Sequence, residues 1–175
     1  MHEAIQVVVE AAINGEDSSR EAVEAAFAAL MDGESDAVDV AALLTSLAAK
    51  GESIDDLAGA ASVMADRVTP IHSRHQRLLD TCGTGGDRLH TFNISTATAL
   101  LAAACGVPVA KHGNRSVSSS SGSADVLTAL GVTIDLPPES VAVCLDEIGI
   151  GFCFAPLFHS AMKHAAPVRQ QLGLR

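Results

Sequence analysis

Tryptophan and tyrosine are absent from this sequence, and phenylalanine occurs only five times in 175 residues. Nucleic-acid binding is therefore disfavoured, because base stacking wants aromatic faces and phosphate contacts want a basic surface, whereas the formal charge here is −10. Ala, Val, Leu and Ile must build the core. Cysteine is scarce too: positions 82, 105, 144 and 153 form no C-x-x-C pair and no ligand-like spacing, which points to a reduced, cytoplasmic protein without a disulfide framework. Cys105 and Cys153 sit in apolar runs as small core residues do, whereas Cys82 lies in a loop. No run approaches transmembrane length, and the early acids of the N-terminus do not make a signal peptide, so no membrane partner is expected. A hydrophobic content of 48% and a mean hydropathy of +0.29 indicate a well-buried globular chain.

The most informative absence is local. Between Asp87 and Asp125 there is no Asp or Glu, while Arg88, Lys111, Arg115, His90 and His112 all fall there. Residues 1–75 carry 14 acids against four Lys or Arg, a balance of −10, and residues 76–175 carry seven of each. The acidity thus belongs to the N-terminal segment, as a solvated helical surface, and the acid-free stretch keeps a local positive field suited to an anion.

Taken in order, the chain predicts four helices. The first covers 3–14. The second has Ser18 as N-cap and Glu21 at N3 and ends at Asp32-Gly33; the third opens at Ser35 or Asp36 and closes at Lys50-Gly51; the fourth starts over Ser53–Asp56 and ends before Pro70. Near residue 77 the pattern changes. Strands are predicted at 78–80, 107–110 and 150–155, and helices at 93–105, 122–130 and from Pro138 to Glu147. Helical turns follow over 159–164 and 167–172. The fold class is α/β: a small all-helical domain over 1–75, then the first part of a parallel α/β domain over 76–175. Three strands are few for a sheet covered on both faces, so the second domain reads as cut short, with its closing elements missing. The pairs Asp55-Asp56 and Asp146-Glu147 are expected on solvated helix surface. His159 and His164, five apart, do not share a helical face and make no metal pair.

Two loops carry the chemistry. In the first, glycines 83, 85 and 86 remove Cβ atoms where an anion approaches backbone N–H groups, and the helix beginning near Asn93 aims its N-terminus at the same space. Asn93, Ser95 and Thr96 offer caps and donors. The spacing is neither a P-loop nor a dinucleotide fingerprint, since Arg88 takes the last place. A plain βα turn would keep one or two of these glycines, so a phosphate cradle is the sharper reading. The second loop, Lys111 to Ser123, joins a point charge, a fork charge, an Asn and six serines after a strand end, where open α/β sheets bind ligands. A serine run alone is more often a linker; Lys111, His112 and Arg115 argue against that here. Charge-assisted hydrogen bonds of about 1.5–3 kcal/mol each would let converging donors hold a polyphosphate.

The motifs D-x-x-G-T-G-G-D, T-F-N-I-S-T, V-A-K-H-G-N-R-S-V-S-S and S-G-S-A-D-V-L-x-x-L-G-V resemble the anthranilate phosphoribosyltransferase family. The likeness extends to K-G-E-S-I-D-D-L-A-G-A-A-S-V-M upstream and F-A-P-x-x-H-x-A-M-K-H-x-x-P-V-R downstream, so it spans essentially the whole chain. It implies a glycosyltransferase of tryptophan biosynthesis, with a nucleoside phosphorylase-like fold. The amine of anthranilate would attack the anomeric carbon of 5-phosphoribosyl 1-diphosphate (PRPP) and release diphosphate with Mg²⁺. PRPP is implied to contact Gly83, Gly86, Asp87, Thr91, Asn93, Ile94, Ser95, Thr96, Lys111, His112, Gly113, Asn114, Arg115, Ser118, Ser119 and Ser123. Ser95 would also touch the metal. Anthranilate is implied to meet Gly83, Asn114 and Arg169, with His112 and His159 nearby. A homodimer through the helical domain is implied as well, and no residue is implied as a general base.

Ser120 stands where the family often has Lys or Arg, and Ser160 where Pro is usual, loosening the turn that carries His159. The family continues well past Arg175 with an Asp-Glu pair that holds magnesium, so this chain alone carries half of such a metal site. Two alternatives follow. A pyrimidine nucleoside phosphorylase shares single motifs but uses inorganic phosphate, and Asn114-Arg115 with Arg169 speaks against it. A PRPP-binding fragment without turnover is the other.

Overall fold

The computed structural model describes residues 1–83, 92–116 and 121–174. The chain divides into two compact units, Met1–Val68 with His159–Arg175, and Thr69–Phe158.

In the first unit four helices form where apolar residues recur at helical spacing: α1 (Glu3–Ile13), α2 (Arg20–Met31), α3 (Ala37–Lys50) and α4 (Ile54–Asp66). Their starts are set by short polar side chains. The carboxylate of Asp36 accepts from the N–H groups of Val38 and Asp39, and Ser53 and Asp56 make a reciprocal capping box. The cap of α2 is Ser19, one residue later than predicted: its hydroxyl accepts from Ala22 N–H, while Ser18 is buried. Asp56 also departs from expectation. It is only 2% exposed and receives Lys50 Nζ at 2.8 Å, so it is an interior clasp rather than solvated surface.

Ile5, Val8, Val23, Leu30, Val40 and Leu43 centre the core of this unit. The chain returns to that core after Phe158. A 3₁₀ turn (Ser160–His164) leads into a helix over Ala166–Leu172, which buries Ala165 and Val168 among the same residues. The expected division at residue 75, with everything after it in one α/β domain, therefore differs from the packing. The small apolar side chains at 165 and 168 fit the helical core, and they carry His159 and Arg169 into this unit.

The second unit contains α5 (Ile94–Ala104), β1 (Val109–Gly113), α6 (Ser123–Ala129), α7 (Pro138–Ile148), β2 (Ile150–Phe154) and the one-turn α8 (Ala155–Phe158); the helix over Ala166–Leu172 is α9. Strands β1 and β2 are parallel and in register from Val109 opposite Ile150 to Gly113 opposite Phe154. The predicted first strand shrinks to one parallel bridge between Leu79 and Val109. Asp80 ends it at once, because its carboxylate accepts from Cys82 N–H and turns the chain. The predicted second strand slides forward, so that Lys111, His112 and Gly113 lie in β1 rather than in the loop after it. Pairing with β2 along all five residues carries the strand that far. Asp146, expected on solvated surface, accepts from Ser73 Oγ at 2.6 Å and Arg74 N–H at 3.0 Å, tying the entry segment to α7. Those hydrogen bonds hold its carboxyl below the usual carboxylate range, the Ser73 bond most of all.

Candidate active site

The two sequence loops meet at the carboxyl ends of the strands. Asp80 Oδ1 accepts from Cys82 N–H at 2.9 Å and from His112 N–H at 3.2 Å, so one carboxylate joins the glycine loop to β1. Thr81 Oγ1 donates to the carbonyl of Ser95 at 2.8 Å, which seats the same loop on the first turn of α5. Gly83 faces that turn closely: a Cβ added there would stand 3.6 Å from Ser95 Oγ. Asn93 holds the N-cap position without capping through its side chain; instead its Nδ2 donates to the carbonyl of Ser121 at 3.4 Å, linking the first loop to the second.

The second loop is closed by Asp125. Its carboxylate accepts from Ser116 N–H at 2.9 Å, from Gly122 N–H at 2.8 Å and from Arg115 Nη1 at 3.2 Å. Hydrogen bonds from Ser116 and Gly122, followed by Arg115, hold this carboxyl below the usual range. The carbonyl of Asn114 accepts from Ala124 N–H at 3.1 Å and Ser123 Oγ at 3.4 Å, while Asn114 Oδ1 accepts from Arg115 N–H at 2.8 Å. Two glycines leave room for this closure. At Gly113 a Cβ would strike Ser123 Oγ and come within 2.7 Å of the Phe152 ring; at Gly122 it would strike the Ser116 nitrogen.

Lys111 and Thr96 sit deeper. Lys111 is 4% exposed and donates from Nζ to the carbonyl of His112 at 2.9 Å, and the described ion pairs give it no carboxylate. Thr96, 3% exposed, has a buried Oγ1 without a hydrogen-bond partner among the described residues. Both line a cavity of about 200 Å³ whose other walls are mostly apolar, including Leu100, Leu127 and Phe152. A buried cation and a buried hydroxyl carry a desolvation cost that an anion at the site would offset. Cys82 is exposed, with its sulfur 3.7 Å from His112 Nδ1. Burial, reinforced by the charge of Asp80, pushes the Cys153 thiol up to about 11.

Of the residues predicted from sequence, the structure brings Gly83, Asn93, Ile94, Ser95, Thr96, Lys111, His112, Gly113, Asn114, Arg115 and Ser123 to this one end of the second unit. Gly86, Asp87, Thr91, Ser118 and Ser119 lie outside the described residues, as does Ser120. His159 and Arg169 belong to the first unit, where Arg169 lines a largely apolar cavity of about 440 Å³ with Phe27, Leu30, Leu47, Met64 and Met162. Sequence reasoning missed Asp80, Thr81 and Asp125. The two aspartates had a local signal: an Asp directly after a strand, and an Asp three residues after a glycine that opens a helix.

Among the described residues no three His, Cys, Asp or Glu gather as a metal site. Ser95 supplies one neutral hydroxyl, so the described residues fit a magnesium ion only as one contact to an ion whose remaining ligands come from elsewhere, such as phosphate oxygens.

The anthranilate phosphoribosyltransferase of Symbiobacterium thermophilum is 53% identical over 161 residues, covering 92% of this chain and 47% of that protein. That of Desulforudis audaxviator is 49% identical over 175 residues, covering all of this chain and 49% of that one. The crystal structure of the Thermus thermophilus enzyme superimposes with a TM-score of 0.86 at 48% identity, over 96% of this chain and 51% of the other. The Saccharomyces cerevisiae enzyme in complex with PRPP and Mg shares the fold, with a TM-score of 0.88 at 24% identity over 100% of this chain and 53% of the other. The chain therefore spans about half the length of the curated relatives it matches. The helical bundle domain of the glycosyl transferase family matches residues 6–68 and the family's a/b domain matches residues 75–175, so the chain belongs to the glycosyl transferase family.

Proposed function

We propose that this chain carries the PRPP-binding half of an anthranilate phosphoribosyltransferase. The observation that carries the reading is the pair of hydrogen bonds that Asp80 Oδ1 accepts from Cys82 N–H and His112 N–H, which sets the glycine loop beside the strand bearing Lys111. Thr96, in the first turn of α5, and the buried Lys111 line one cavity whose lining includes no acid, which suits an anion such as a diphosphate. The curated relatives at about half identity carry this activity in their names, and the yeast enzyme, which shares the fold, binds PRPP with Mg.

In the reaction, the anthranilate nitrogen forms a bond to C1 of the ribose while the C1–oxygen bond to diphosphate breaks, and the amine loses a proton. Backbone N–H groups of the loops and Lys111 stabilise the negative charge that develops on the leaving diphosphate. Magnesium, when bound, supplies further charge neutralisation on that group. Arg169 offers a bidentate partner for the anthranilate carboxylate. Gly86, Asp87, Thr91, Ser118 and Ser119 join the PRPP set in this proposal, with His112, Asn114 and His159 toward the acceptor. The enzyme works in the cytoplasm as a homodimer through its helical domain. Among the described residues no helix is long and apolar enough to cross a membrane.

The test follows anthranilate fluorescence with PRPP and Mg²⁺, for residues 1–175 alone and for the chain joined to the second half that its relatives possess. Turnover is expected only from the longer form, and Arg169→Ala there raises the KM for anthranilate far more than that for PRPP. Phosphorolysis of a pyrimidine nucleoside in place of phosphoribosyl transfer would overturn the proposal.

A further inference from the structure

The helices α1 and α2 end in the same way. Gly15 N–H bonds to the carbonyl of Ala12 and Glu16 N–H to that of Ala11; Gly33 N–H bonds to Leu30 and Glu34 N–H to Ala29. Both are Schellman motifs, and both glycines have positive φ, +73° and +77°. Their surroundings differ. A Cβ at Gly15 would meet no described atom within 4 Å. A Cβ at Gly33 would stand 2.7 Å from His164 Cε1 and 3.1 Å from both ring nitrogens. The His164 imidazole thus lies over the bare Cα of Gly33, and only glycine leaves it that seat.

His164 ends the 3₁₀ turn, directly before the buried Ala165 at the N-cap of α9. Arg169 N–H bonds back to the Ala165 carbonyl at 3.0 Å, one helical turn after the histidine. The seat is firm on its other side. Arg67 grips Asp32, the residue before Gly33, through Nε at 2.7 Å and Nη2 at 2.6 Å. His164 adds to Arg67 in holding the Asp32 carboxyl low.

We infer that His164, seated on Gly33, is a positioning residue that fixes the register of α9 and so aims the Arg169 guanidinium for acceptor recognition. The inference rests on the proposed role of Arg169 toward the anthranilate carboxylate. His164 itself touches no substrate.

Two measurements separate the inference from the reading beneath it. In the 175-residue chain, amide hydrogen exchange of His164→Ala and Gly33→Ala is expected to quicken across 166–172 while α1 and α4 stay protected. Gly15→Ala leaves 166–172 as it was, and His164→Phe, which keeps a flat ring on Gly33, restores protection. In the form carrying the second half, both substitutions raise the KM for anthranilate by about tenfold and leave that for PRPP and kcat near their starting values, as a displaced recognition group does. If Arg169→Ala raises the KM for anthranilate but His164→Ala and Gly33→Ala do not, the inference falls and the function stands. If Arg169→Ala leaves anthranilate untouched, the acceptor reading falls, and the exchange data alone decide whether His164 sets the register of α9. Loss of protection in α1–α4 together with α9, or failure of His164→Phe to rescue, would make His164 a general stability residue and overturn the inference.

Discussion

The two units use their aspartates differently. In the helical unit carboxylates face helix starts and cations: Asp36 and Asp56 cap α3 and α4, Asp56 and Asp17 hold Lys50, and Asp32 holds Arg67. In the α/β unit Asp80, Asp125 and Asp146 each accept from backbone N–H groups of irregular chain. Helices satisfy their own backbone except at the ends, so a few caps suffice there. Glycine- and serine-rich loops have no ladder to satisfy their N–H groups, and a carboxylate with two oxygens is the compact side chain that can hold several at once. The acid-free stretch is the consequence. Asp80 and Asp125 hold the two loops from outside that stretch, and none of the residues between Asp87 and Asp125 is an acid.

The cores differ too, and this gives the largest expected effects. One cluster around Leu30 and Leu43 holds the first unit, whereas the second has two smaller clusters, one around Leu145 and Val141 and one around Leu127 and Ile134. Leu30→Ala should cost about 3 kcal/mol, with exchange protection lost across α1–α4 and retained in β1 and β2. Leu145→Ala should do the reverse. Urea unfolding followed by residue-resolved hydrogen exchange reads both, and a single transition that moves equally for either variant would break the division into two units. Asp56→Ala comes next, at about 2–3 kcal/mol, because it removes a capping box and leaves the nearly buried Lys50 with only the exposed Asp17.

Helices with clear periodicity and a small polar residue ahead of them were legible from sequence to within a residue or two, and so was the strand–helix alternation after residue 77. What escaped was decided by partners distant in the chain. Lys111, His112 and Gly113 read as loop because their composition is polar, yet pairing with β2 makes them strand. Leu78-Leu79-Asp80 read as a strand because it is apolar, yet Asp80 bends the chain after one bridge. Asp56 and Asp146 read as solvated because aspartates usually are; nothing in their own neighbourhood announces Lys50 or Ser73 as partners. The stretch after Phe158 read as a continuation of the α/β domain, as the family's a/b domain also has it, yet Ala165 and Val168 pack among α1–α4. Motifs grouped the candidate site residues, while the hydrogen bonds that join the described ones, such as those of Asp80 and Asp125, were not legible.

Ser18 and Ser19 give a smaller and sharper comparison of adjacent positions. Only the Ser19 hydroxyl accepts from Ala22 N–H, at 3.3 Å. After Glu21's own backbone N–H, a hydrogen bond from the Ser19 hydroxyl to the Glu21 carboxylate helps hold that carboxyl low. Ser19→Ala should cost about 1 kcal/mol in thermal or urea unfolding. Ser18→Ala should leave α2 helicity unchanged, and a larger loss from Ser18 than from Ser19 would return the cap to the position predicted from sequence.

The smallest expected effect on global stability, and the most local, belongs to Asp125. Its carboxyl lies below the ordinary aspartate range because the folded state donates to it from Ser116, Gly122 and Arg115. A lowered folded-state value means that the stabilisation is fully present above the ordinary aspartate range and is lost as pH falls through the folded value. The amide resonances of Ser116 and Gly122 should therefore hold constant from neutral pH down to that range and then shift together, as one proton releases both. Both amides bond the same oxygen, Oδ2, so Asp125→Asn with its amide oxygen in that place keeps both and turns its NH₂ toward Arg115. The Arg115 bond should be lost at every pH and the acid shift of the two amides should vanish, while the helical unit keeps its unfolding midpoint. The Asp146 clasp on Ser73 and Arg74 follows the same sign and should titrate over the same acid window. If the Ser116 and Gly122 amides instead moved near neutral pH, a group other than Asp125 would hold them, and the contrast between caps in one unit and loop clasps in the other would lose its clearest member.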